Sequence, residues 1–251
     1  MKLCAQLYSL RTFLTNEEDL RQTFFRVKEI GYEAVQLSGA APMPADYLKA
    51  VSEETGLPIV CTHSPFERIL DDTEALIAEH KTFGCPVIGL GSMPKEYRTG
   101  RDGLHAFLAA LKTPVQKILD AGLHFSYHNH AFEFAAPDGA NLYDEMLDTL
   151  PDWHFILDTY WVEFAGGSAV DYIRRVGKGR LPNIHYKDMA RDEARSICAC
   201  GNGVLDFAAI TAACREVGGE NVLVEQDNAV KMPDPFGEMR QSFTHLRPIV
   251  R

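Results

Sequence analysis

Amphipathic segments that end in glycine and continue directly into short apolar stretches recur along the whole chain. The pattern is clear at Gly31-Tyr-Glu-Ala-Val-Gln-Leu and at Gly122-Leu-His-Phe, and it returns at Gly56, Gly84 and Gly218. Glycine adopts the left-handed backbone conformation that ends many helices at little cost, so each of these positions predicts a helix end followed by a strand. The chain therefore predicts an alternation of helices and strands.

Eight apolar stretches are strand candidates, near residues 3–8, 33–37, 58–63, 86–91, 123–128, 154–158, 183–187 and 221–225. The first helix is predicted to begin at Thr15-Asn-Glu-Glu18, which has the form of a capping box and is followed by Leu20, Phe24 and Val27 at helical spacing. One strand in about 31 residues predicts a (β/α)8 TIM barrel. No Pro-, Ser- or Gly-rich linker interrupts the pattern, so we expect residues 1–251 to form a single domain.

An open, doubly wound sheet would give the same alternation of elements. Its commonest form carries a GxGxxG motif after the first strand, whereas residues 9–13 here read Ser-Leu-Arg-Thr-Phe. We interpret Gly89-Leu-Gly91 as close packing at a strand end and not as a phosphate cradle. The barrel is therefore the favoured fold.

Composition narrows the classes of function. The 251 residues are 46% hydrophobic and carry a formal net charge of -10, which argues against a nucleic-acid partner. No window approaches the roughly 20 apolar residues of a membrane span, and the N-terminus lacks the apolar stretch of a signal peptide. We therefore expect no membrane partner and a cytoplasmic location. The six cysteines are scattered, which favours reduced core thiols over a disulfide framework.

Polar or ionisable side chains lie near the carboxyl-terminal ends of seven predicted strands: Gln6, Gln36, His63, His128, Asp158, His185 and Glu225. In a barrel these ends converge at the active-site face. Each residue alone also has a structural interpretation, as a satisfied core side chain or a helix cap. Four on successive strands favour one divalent ion, and we expect His128, Asp158, His185 and Glu225 to be its ligands. Mixed nitrogen and oxygen ligands favour Mn²⁺, with Co²⁺, Zn²⁺, Fe²⁺ and Mg²⁺ as alternatives.

Five stretches resemble the successive signatures of the xylose isomerase-like sugar phosphate isomerase/epimerase superfamily: Tyr127-His-Asn-His-Ala-Phe-Glu-Phe, Leu157-Asp-Thr-Tyr-Trp, Ile184-His-Tyr-Lys-Asp-Met, Gly201-Asn-Gly-Val-Leu-Asp-Phe and Val224-Glu-Gln-Asp. The resemblance implies a TIM barrel with one divalent ion on strands five to eight, held by Asp158, His185 and Glu225. Ketose epimerases of this family carry a glutamate, both ligand and proton-transfer group, where this chain has His128. In this respect the chain is more similar to the keto-inositol dehydratases.

The residues also predict the chemistry. Removing a proton beside a carbonyl requires stabilisation of the enolate that forms, which a metal provides as a Lewis acid. Glu225 is predicted to act as ligand and base, Glu133 or His130 to deliver a proton, and Lys187 to stabilise the enediolate oxygen. The structural alternatives are an ion pair between Lys187 and Asp188 and a solvated loop position for Glu133.

We therefore predict a metal-dependent sugar isomerase or epimerase that acts on a ketose or keto-sugar. The alternative is a lyase that shares the enolate step: a keto-sugar or inosose dehydratase, or a keto-glycoside eliminase. A non-catalytic sugar-binding barrel and a metal endonuclease are more remote alternatives. The net charge of -10 and the missing strand-five glutamate argue against the endonuclease.

The partner is predicted to be a small sugar or polyol. His63 is expected to bind its hydroxyl groups and not the metal, because strand three lies away from strands five to eight. Few basic residues near the other strand ends favour an unphosphorylated substrate, although Arg195 and the Gly201-Asn-Gly203 turn offer a phosphate or hydroxyl contact. The remaining predicted substrate-binding residues are Gln6, Tyr8, Phe66, Asn129 and Trp161. The sequence leaves a homo-oligomer open.

Overall fold

Eight parallel strands form a nearly closed barrel in the computed structural model, which describes residues 1–251. They are β1 (Lys2–Gln6), β2 (Ala34–Leu37), β3 (Ile59–Thr62), β4 (Val87–Leu90), β5 (His124–His128), β6 (His154–Asp158), β7 (Asn183–Tyr186) and β10 (Asn221–Val224). A separate antiparallel hairpin consists of β8 (Asp188–Met189) and β9 (Ile197–Cys198). The order around the barrel is β3-β2-β1-β10-β7-β6-β5-β4. This arrangement confirms the predicted TIM barrel.

The seam of the barrel lies between β3 and β4, which share no ladder. The Ser64 N–H donates a hydrogen bond of 2.8 Å to the Gly89 carbonyl there. A Cβ atom at Gly89 would lie 2.2 Å from the Thr62 carbonyl oxygen, and one at Gly91 would lie 2.9 Å from His63 Nδ1. The prediction of close packing at Gly89-Leu-Gly91 is confirmed.

Ten helices surround the barrel: α1 (Glu17–Ile30), α2 (Ala45–Thr55), α3 (Phe66–Asp71), α4 (Thr73–Phe83), α5 (Arg101–Asp120), α6 (Leu142–Thr149), α7 (Thr159–Phe164), α8 (Ala169–Val176), α9 (Phe207–Val217) and α10 (Pro235–Val250). Three short 3-10 helices span Leu7–Phe13, Lys95–Tyr97 and Ala229–Lys231. No helix combines the length and the apolar character that crossing a membrane requires.

Helix α1 shows how local sequence sets the helix ends. Its N-cap is Asn16, whose side-chain oxygen accepts a hydrogen bond from the Asp19 N–H, so the predicted start at Thr15 is wrong by one residue. At its other end Gly31 has a φ of 115°, and a Cβ atom there would lie 2.7 Å from the Phe243 ring. The glycine is required both by its conformation and by this close approach.

A small apolar cluster lies inside the barrel, apart from the main core between strands and helices, and consists of Cys4, Ala34, Cys61, Val87, Ile156 and Leu223. All six cysteines of the chain are free thiols, and five of them are buried. Side chains two residues apart on a strand point to the same face. The residues two positions after five of these six are Gln6, Gln36, His63, Asp158 and Glu225. The apolar layer therefore supports a polar layer at the carboxyl-terminal end of the barrel.

Candidate metal centre

Four side chains of the polar layer converge on one point. His128 Nε2 lies 3.2 Å from Asp158 Oδ2, and His185 Nδ1 lies 3.7 Å from the same oxygen and 2.9 Å from Glu225 Oε2. The four candidate ligand atoms all lie within 4.8 Å of one another. Ligand atoms about 2.1 Å from one metal ion lie about 3 to 4 Å apart. The buried group therefore has a size that suits a divalent ion.

Hydrogen bonds on the outer side of both imidazoles fix their orientation. His128 Nδ1 lies 2.8 Å from the Gly91 carbonyl oxygen, and His185 Nε2 lies 2.6 Å from Gln36 Oε1. A carbonyl oxygen only accepts, so both outer nitrogens carry a proton, and in a neutral imidazole the inner nitrogen then presents a lone pair. Such outer partners are typical of metal-binding histidines.

The inner side of His185 faces the carboxylates without an ordinary hydrogen bond. His185 Nδ1 is buried, and although it lies 2.9 Å from Glu225 Oε2, their alignment does not make a hydrogen bond. Burial lowers the pKa of His185, but Glu225 and Asp158 outweigh burial and leave the pKa above its usual value, so positive charge is favoured at this point. The donor set and this unpartnered nitrogen fit a bound divalent ion.

The two carboxylates of the group are ionised. Burial raises the pKa of Asp158, but the Lys187 ammonium outweighs burial and leaves the pKa well below its usual range. Burial likewise raises the pKa of Glu225, and Lys187 and His185 bring it well below its usual range. The ligand oxygens therefore carry the negative charge that a cation requires.

Asp158 has a second task at the end of β6. Its Oδ1 accepts a hydrogen bond of 3.1 Å from the Trp161 N–H and caps α7, while Oδ2 faces the histidines. The Asp158 N–H donates a hydrogen bond of 2.9 Å to Asn129 Oδ1. Asn129 is fully buried and does not line the cavity, so the prediction that it binds substrate is replaced by support of Asp158.

Lys187 directly follows β7, and its side chain points to the same side as that of His185. Its Nζ is 2.7 Å from Glu225 Oε2, 2.9 Å from Asp158 Oδ2 and 3.2 Å from Asp227 Oδ2. The alternative ion pair with Asp188 is wrong, because the Asp188 carboxylate accepts backbone N–H groups of the loop after β9. The ammonium is therefore part of the centre.

Glu133 lies outside the barrel wall and not in the cavity. The carboxylate is fully buried, accepts a hydrogen bond of 2.6 Å from the Tyr127 hydroxyl, and accepts another of 2.8 Å from the His130 N–H. Burial raises its pKa to about 7. Both Glu133 oxygens accept hydrogen bonds from the protein. This geometry disagrees with the predicted solvated position, and it disagrees with direct proton transfer to a substrate in the cavity.

Arg195 also lies away from the cavity. Its guanidinium donates to the carbonyl oxygens of Glu163 and Phe164 at the end of α7, and its φ of 52° marks a tight turn. The Gly201-Asn-Gly203 turn is occupied by Asp188, which accepts the N–H groups of both glycines. The predicted substrate contact by Arg195 is therefore corrected to a structural role in this loop.

A cavity of about 610 Å³ opens above the centre, which is in the range of about 300 to 1,000 Å³ that small-molecule sites occupy. Seven of the predicted residues line it: Tyr8, His63, Phe66, His128, His130, Lys187 and Glu225. Trp161 lies behind them, with its ring centroid 5.3 Å from that of His130. Gln6 is fully buried and donates a hydrogen bond of 3.0 Å to Glu225 Oε1, so its predicted substrate contact is corrected to support of this carboxylate.

His63 comes closer to the centre than strand order suggests. Its ring centroid lies 5.1 Å from that of His128 and 5.4 Å from that of His185. Gly91, directly after the intervening strand β4, has no side chain, which leaves room for the imidazole. Nδ1 lies 3.3 Å from Ser38 Oγ, and Nε2 is buried without a partner. His63 therefore presents an unpaired nitrogen beside the two candidate ligand histidines.

Several cavity residues lie beyond the strand ends, in segments that strand patterns do not mark, among them Arg11, Ser38, Ser92, Asp227 and Lys231. Arg11 donates hydrogen bonds to the carbonyl oxygens of Tyr8 and Asp227. Few basic residues were expected near the other strand ends, but Arg11 and Lys231 reach the cavity from segments beyond those ends. Their short 3-10 helices follow β1 and β10, and only the barrel topology brings those two together.

Comparisons with known proteins agree with this architecture. Residues 24–249 match the family model for the xylose isomerase-like TIM barrel. A sugar phosphate isomerase/epimerase structure from Parabacteroides distasonis ATCC 8503 is 24% identical, with a TM-score of 0.79 over 100% of both chains. An L-ribulose 3-epimerase structure is 15% identical, with a TM-score of 0.76 over 99% of this chain and 94% of the other.

A third similar structure is a D-psicose 3-epimerase from Clostridium cellulolyticum H10 with D-tagatose, which is 13% identical with a TM-score of 0.73 over 100% of both chains. At these identities the likeness concerns the fold. No curated protein matches the chain significantly.

Proposed function

Because the chain belongs to the xylose isomerase-like TIM barrel family, we propose that it is a metal-dependent sugar isomerase or epimerase acting on a ketose or keto-sugar. One observation carries the proposal: four buried ligand atoms converge beneath an open cavity, with the inner nitrogen of each imidazole turned toward the carboxylates. The names of two similar structures, an L-ribulose 3-epimerase and a D-psicose 3-epimerase, support a ketose substrate.

The proposed ligands are His128, Asp158, His185 and Glu225. Two nitrogen and two oxygen donors favour Mn²⁺, with Co²⁺, Zn²⁺, Fe²⁺ and Mg²⁺ as alternatives. A bound ion supplies Lewis-acid stabilisation of the negative charge that develops on the substrate oxygen. The buried surroundings exclude water from this point and strengthen every charge interaction there.

Proton transfer is assigned to groups at the floor of the cavity. Glu225 is ionised, is held at Oε1 by Gln6, and is proposed to remove the proton next to the substrate carbonyl. Lys187 Nζ lies 2.7 Å from Glu225 Oε2 and is placed to stabilise the enediolate oxygen. His130 lines the cavity with a buried, unpartnered Nδ1 and is the proposed group that returns the proton.

The walls of the cavity are proposed to bind the sugar. The rings of Tyr8 and Phe66 offer apolar faces, Trp161 supports the His130 side, and the free Nε2 of His63 is placed to meet a hydroxyl group. Since Arg11 and Lys231 stand at the mouth, competition by inorganic phosphate would show whether the substrate is phosphorylated.

The second candidate is a lyase that uses the same first step. A ketose epimerase needs proton-transfer groups on two sides of the substrate, but strand five carries His128 and the nearby Glu133 points away from the cavity. No glutamate therefore lies across the cavity from Glu225 to act as the second proton-transfer carboxylate. Elimination removes a proton from carbon on one side only and expels the neighbouring oxygen as water or as an alcohol, with a proton that His130 is proposed to deliver. This requirement favours a keto-sugar dehydratase or keto-glycoside eliminase.

One experiment tests both candidates. The purified protein is analysed for metal and then incubated in deuterated water with a panel of ketoses, keto-glycosides and inososes. An isomerase or epimerase places deuterium in a product sugar, whereas a lyase forms a product that absorbs as an unsaturated ketone. Sugar binding without turnover by Mn²⁺-loaded protein across the panel would contradict both and support a sugar-binding barrel.

A further inference from the structure

Lys187 holds an unusual position for an ammonium group. It is 1% exposed, and its Nζ lies 2.9 Å from Asp158 Oδ2 and 2.7 Å from Glu225 Oε2. These are the same two oxygens that face the candidate ligand histidines. His185 lies in β7 and Lys187 directly follows it, two residues further on, so both side chains point inward. This segment therefore supplies both a candidate metal ligand and a positive charge to the same carboxylates.

An ammonium and a divalent ion on the same two oxygens repel each other strongly. In a buried site of low effective dielectric this repulsion is much larger than in water. The two cations therefore compete for the negative charge of Asp158 and Glu225. The ammonium also satisfies these buried carboxylates, which otherwise would be costly to bury.

A third carboxylate stands on the far side of the ammonium. Asp227 Oδ2 accepts a hydrogen bond of 3.2 Å from Lys187 Nζ, and its side chain is 29% exposed at the cavity edge. The Arg11 guanidinium donates to the Asp227 carbonyl oxygen and anchors this segment. Because the bond to Asp227 already exists, a small shift of Nζ transfers the ammonium from the two ligand carboxylates to the third.

We propose that Lys187 is an internal counter-ion that competes with the metal ion for Asp158 and Glu225, and that Asp227 receives the ammonium when the ion binds. This inference rests on the proposed metal centre. It assigns Lys187 and Asp227 as determinants of metal affinity, separate from any contact with substrate. The metal-free protein keeps its carboxylates paired, and the ion binds more weakly than the four ligands alone would hold it.

Metal affinity measured on the full chain tests the proposal, with Mn²⁺ as the probe in competition with a fluorescent chelator. Lys187→Met removes the competing charge and is expected to bind Mn²⁺ at least about tenfold more tightly. Lys187→Arg keeps the charge and is expected to stay near the wild-type affinity. The matched control is Lys231→Met at the solvent-exposed rim, where screening limits the change to less than about twofold.

Asp227→Asn keeps Lys187 and tests the acceptor. The variant is expected to bind Mn²⁺ about tenfold more weakly, and this loss is expected to disappear in the Lys187→Met background, because Asp227 acts through the ammonium. An equal loss of Mn²⁺ affinity in the wild-type and Lys187→Met backgrounds would contradict the transfer of the ammonium to Asp227. The Asp227 charge would then act on the ion directly.

The outcomes separate this inference from the proposed function. Unchanged or weaker Mn²⁺ binding by Lys187→Met overturns the counter-ion. Absence of Mn²⁺ binding by the wild type overturns the metal centre itself. If Lys187→Met folds only with metal present, the Lys187→Arg and Asp227→Asn affinities still decide the question.

Discussion

Glu225 and Glu133 are two buried glutamates whose surroundings give them opposite properties. Glu225 directly follows β10 inside the barrel, beside Lys187 and His185, and its pKa lies well below the usual range because these groups outweigh burial. Glu133 lies outside the wall and accepts hydrogen bonds from the Tyr127 hydroxyl and the His130 N–H. With no cation in contact, burial raises its pKa to about 7.

The contrast shows that burial alone does not mark a catalytic carboxylate. Both groups are removed from water, but only Glu225 keeps a charge that a metal ion or a substrate proton can use. The carboxylate of Glu133 instead holds the loop after β5 in place through the His130 backbone. We therefore assign chemistry to the Glu225 side and positioning of His130 to the Glu133 side.

The largest expected effect is the loss of the metal from the Glu225 side. Asp158→Ala and His185→Ala each remove a candidate ligand, and activity is expected to fall by about 1,000-fold or more as charge stabilisation of several kcal/mol is lost. Metal content of the purified protein, measured by elemental analysis, is expected to fall with it. Full activity in a metal-free His185→Ala preparation would reject the assignment.

A matched pair of substitutions tests the comparison directly. Glu225→Gln is expected to lower kcat by about 100- to 10,000-fold, the usual contribution of a general base. Glu133→Gln keeps the shape, removes no group that faces the cavity, and is expected to remain within about tenfold of wild type. Steady-state kinetics on the same substrate measures both. Equal losses would restore Glu133 as a proton-transfer group.

The raised pKa of Glu133 makes the stability of the fold depend on pH. A carboxyl whose pKa rises from 4.5 to about 7 on folding stabilises the fold only while protonated. Its contribution is complete below pH 4.5 and is lost as the pH rises through 7, a change of about 3 kcal/mol at 1.36 kcal/mol per pKa unit. Glu133→Gln removes this dependence.

Denaturant unfolding at pH 5 and pH 8 measures the difference between the two proteins. Wild type is expected to lose more stability than Glu133→Gln between these values. Parallel losses in both would show that Glu133 titrates as an ordinary surface carboxyl, and the opposition to Glu225 would then fail.

The strand ends were predictable from sequence for a definite physical reason. Side chains on a strand alternate with period two, so an apolar residue such as Ile156 or Leu223 identifies the inward face, and the polar residue two positions later must share it. Asp158 and Glu225 follow that rule. The parallel barrel then brings these ends together at one rim.

The positions of the loop side chains could not be predicted in this way, because side chains in loops do not alternate between two faces with a fixed period. Glu133 and Arg195 are both polar residues after site strands, but one binds Tyr127 and the other binds helix carbonyl groups. The direction of each side chain depends on the turns of its loop, which the pattern of polar and apolar residues does not determine. Asp227 is the opposite case, since it reaches the centre through Lys187 although no strand places it there.

The smallest effect is expected for Gln36, which orients a candidate ligand without being a ligand itself. Gln36 Oε1 lies 2.6 Å from His185 Nε2 and fixes the tautomer that turns Nδ1 toward Glu225. Gln36→Leu keeps all four ligands but removes this partner, and metal affinity is expected to fall by about 10- to 100-fold. The control is Gln226→Leu, whose amide bonds Asn228 and Glu238 and touches no ligand side chain.

Chelator competition with Mn²⁺ is the measurement for both glutamine variants. A loss in Gln36→Leu but not in Gln226→Leu would show that the hydrogen bonds behind the Glu225 side orient its ligands. Equal affinity in Gln36→Leu and wild type would mean that the carboxylates hold His185 in place without its outer partner. The surroundings of Glu225 would then differ from those of Glu133 in their charges alone, and not in the hydrogen bonds that hold the neighbouring side chains.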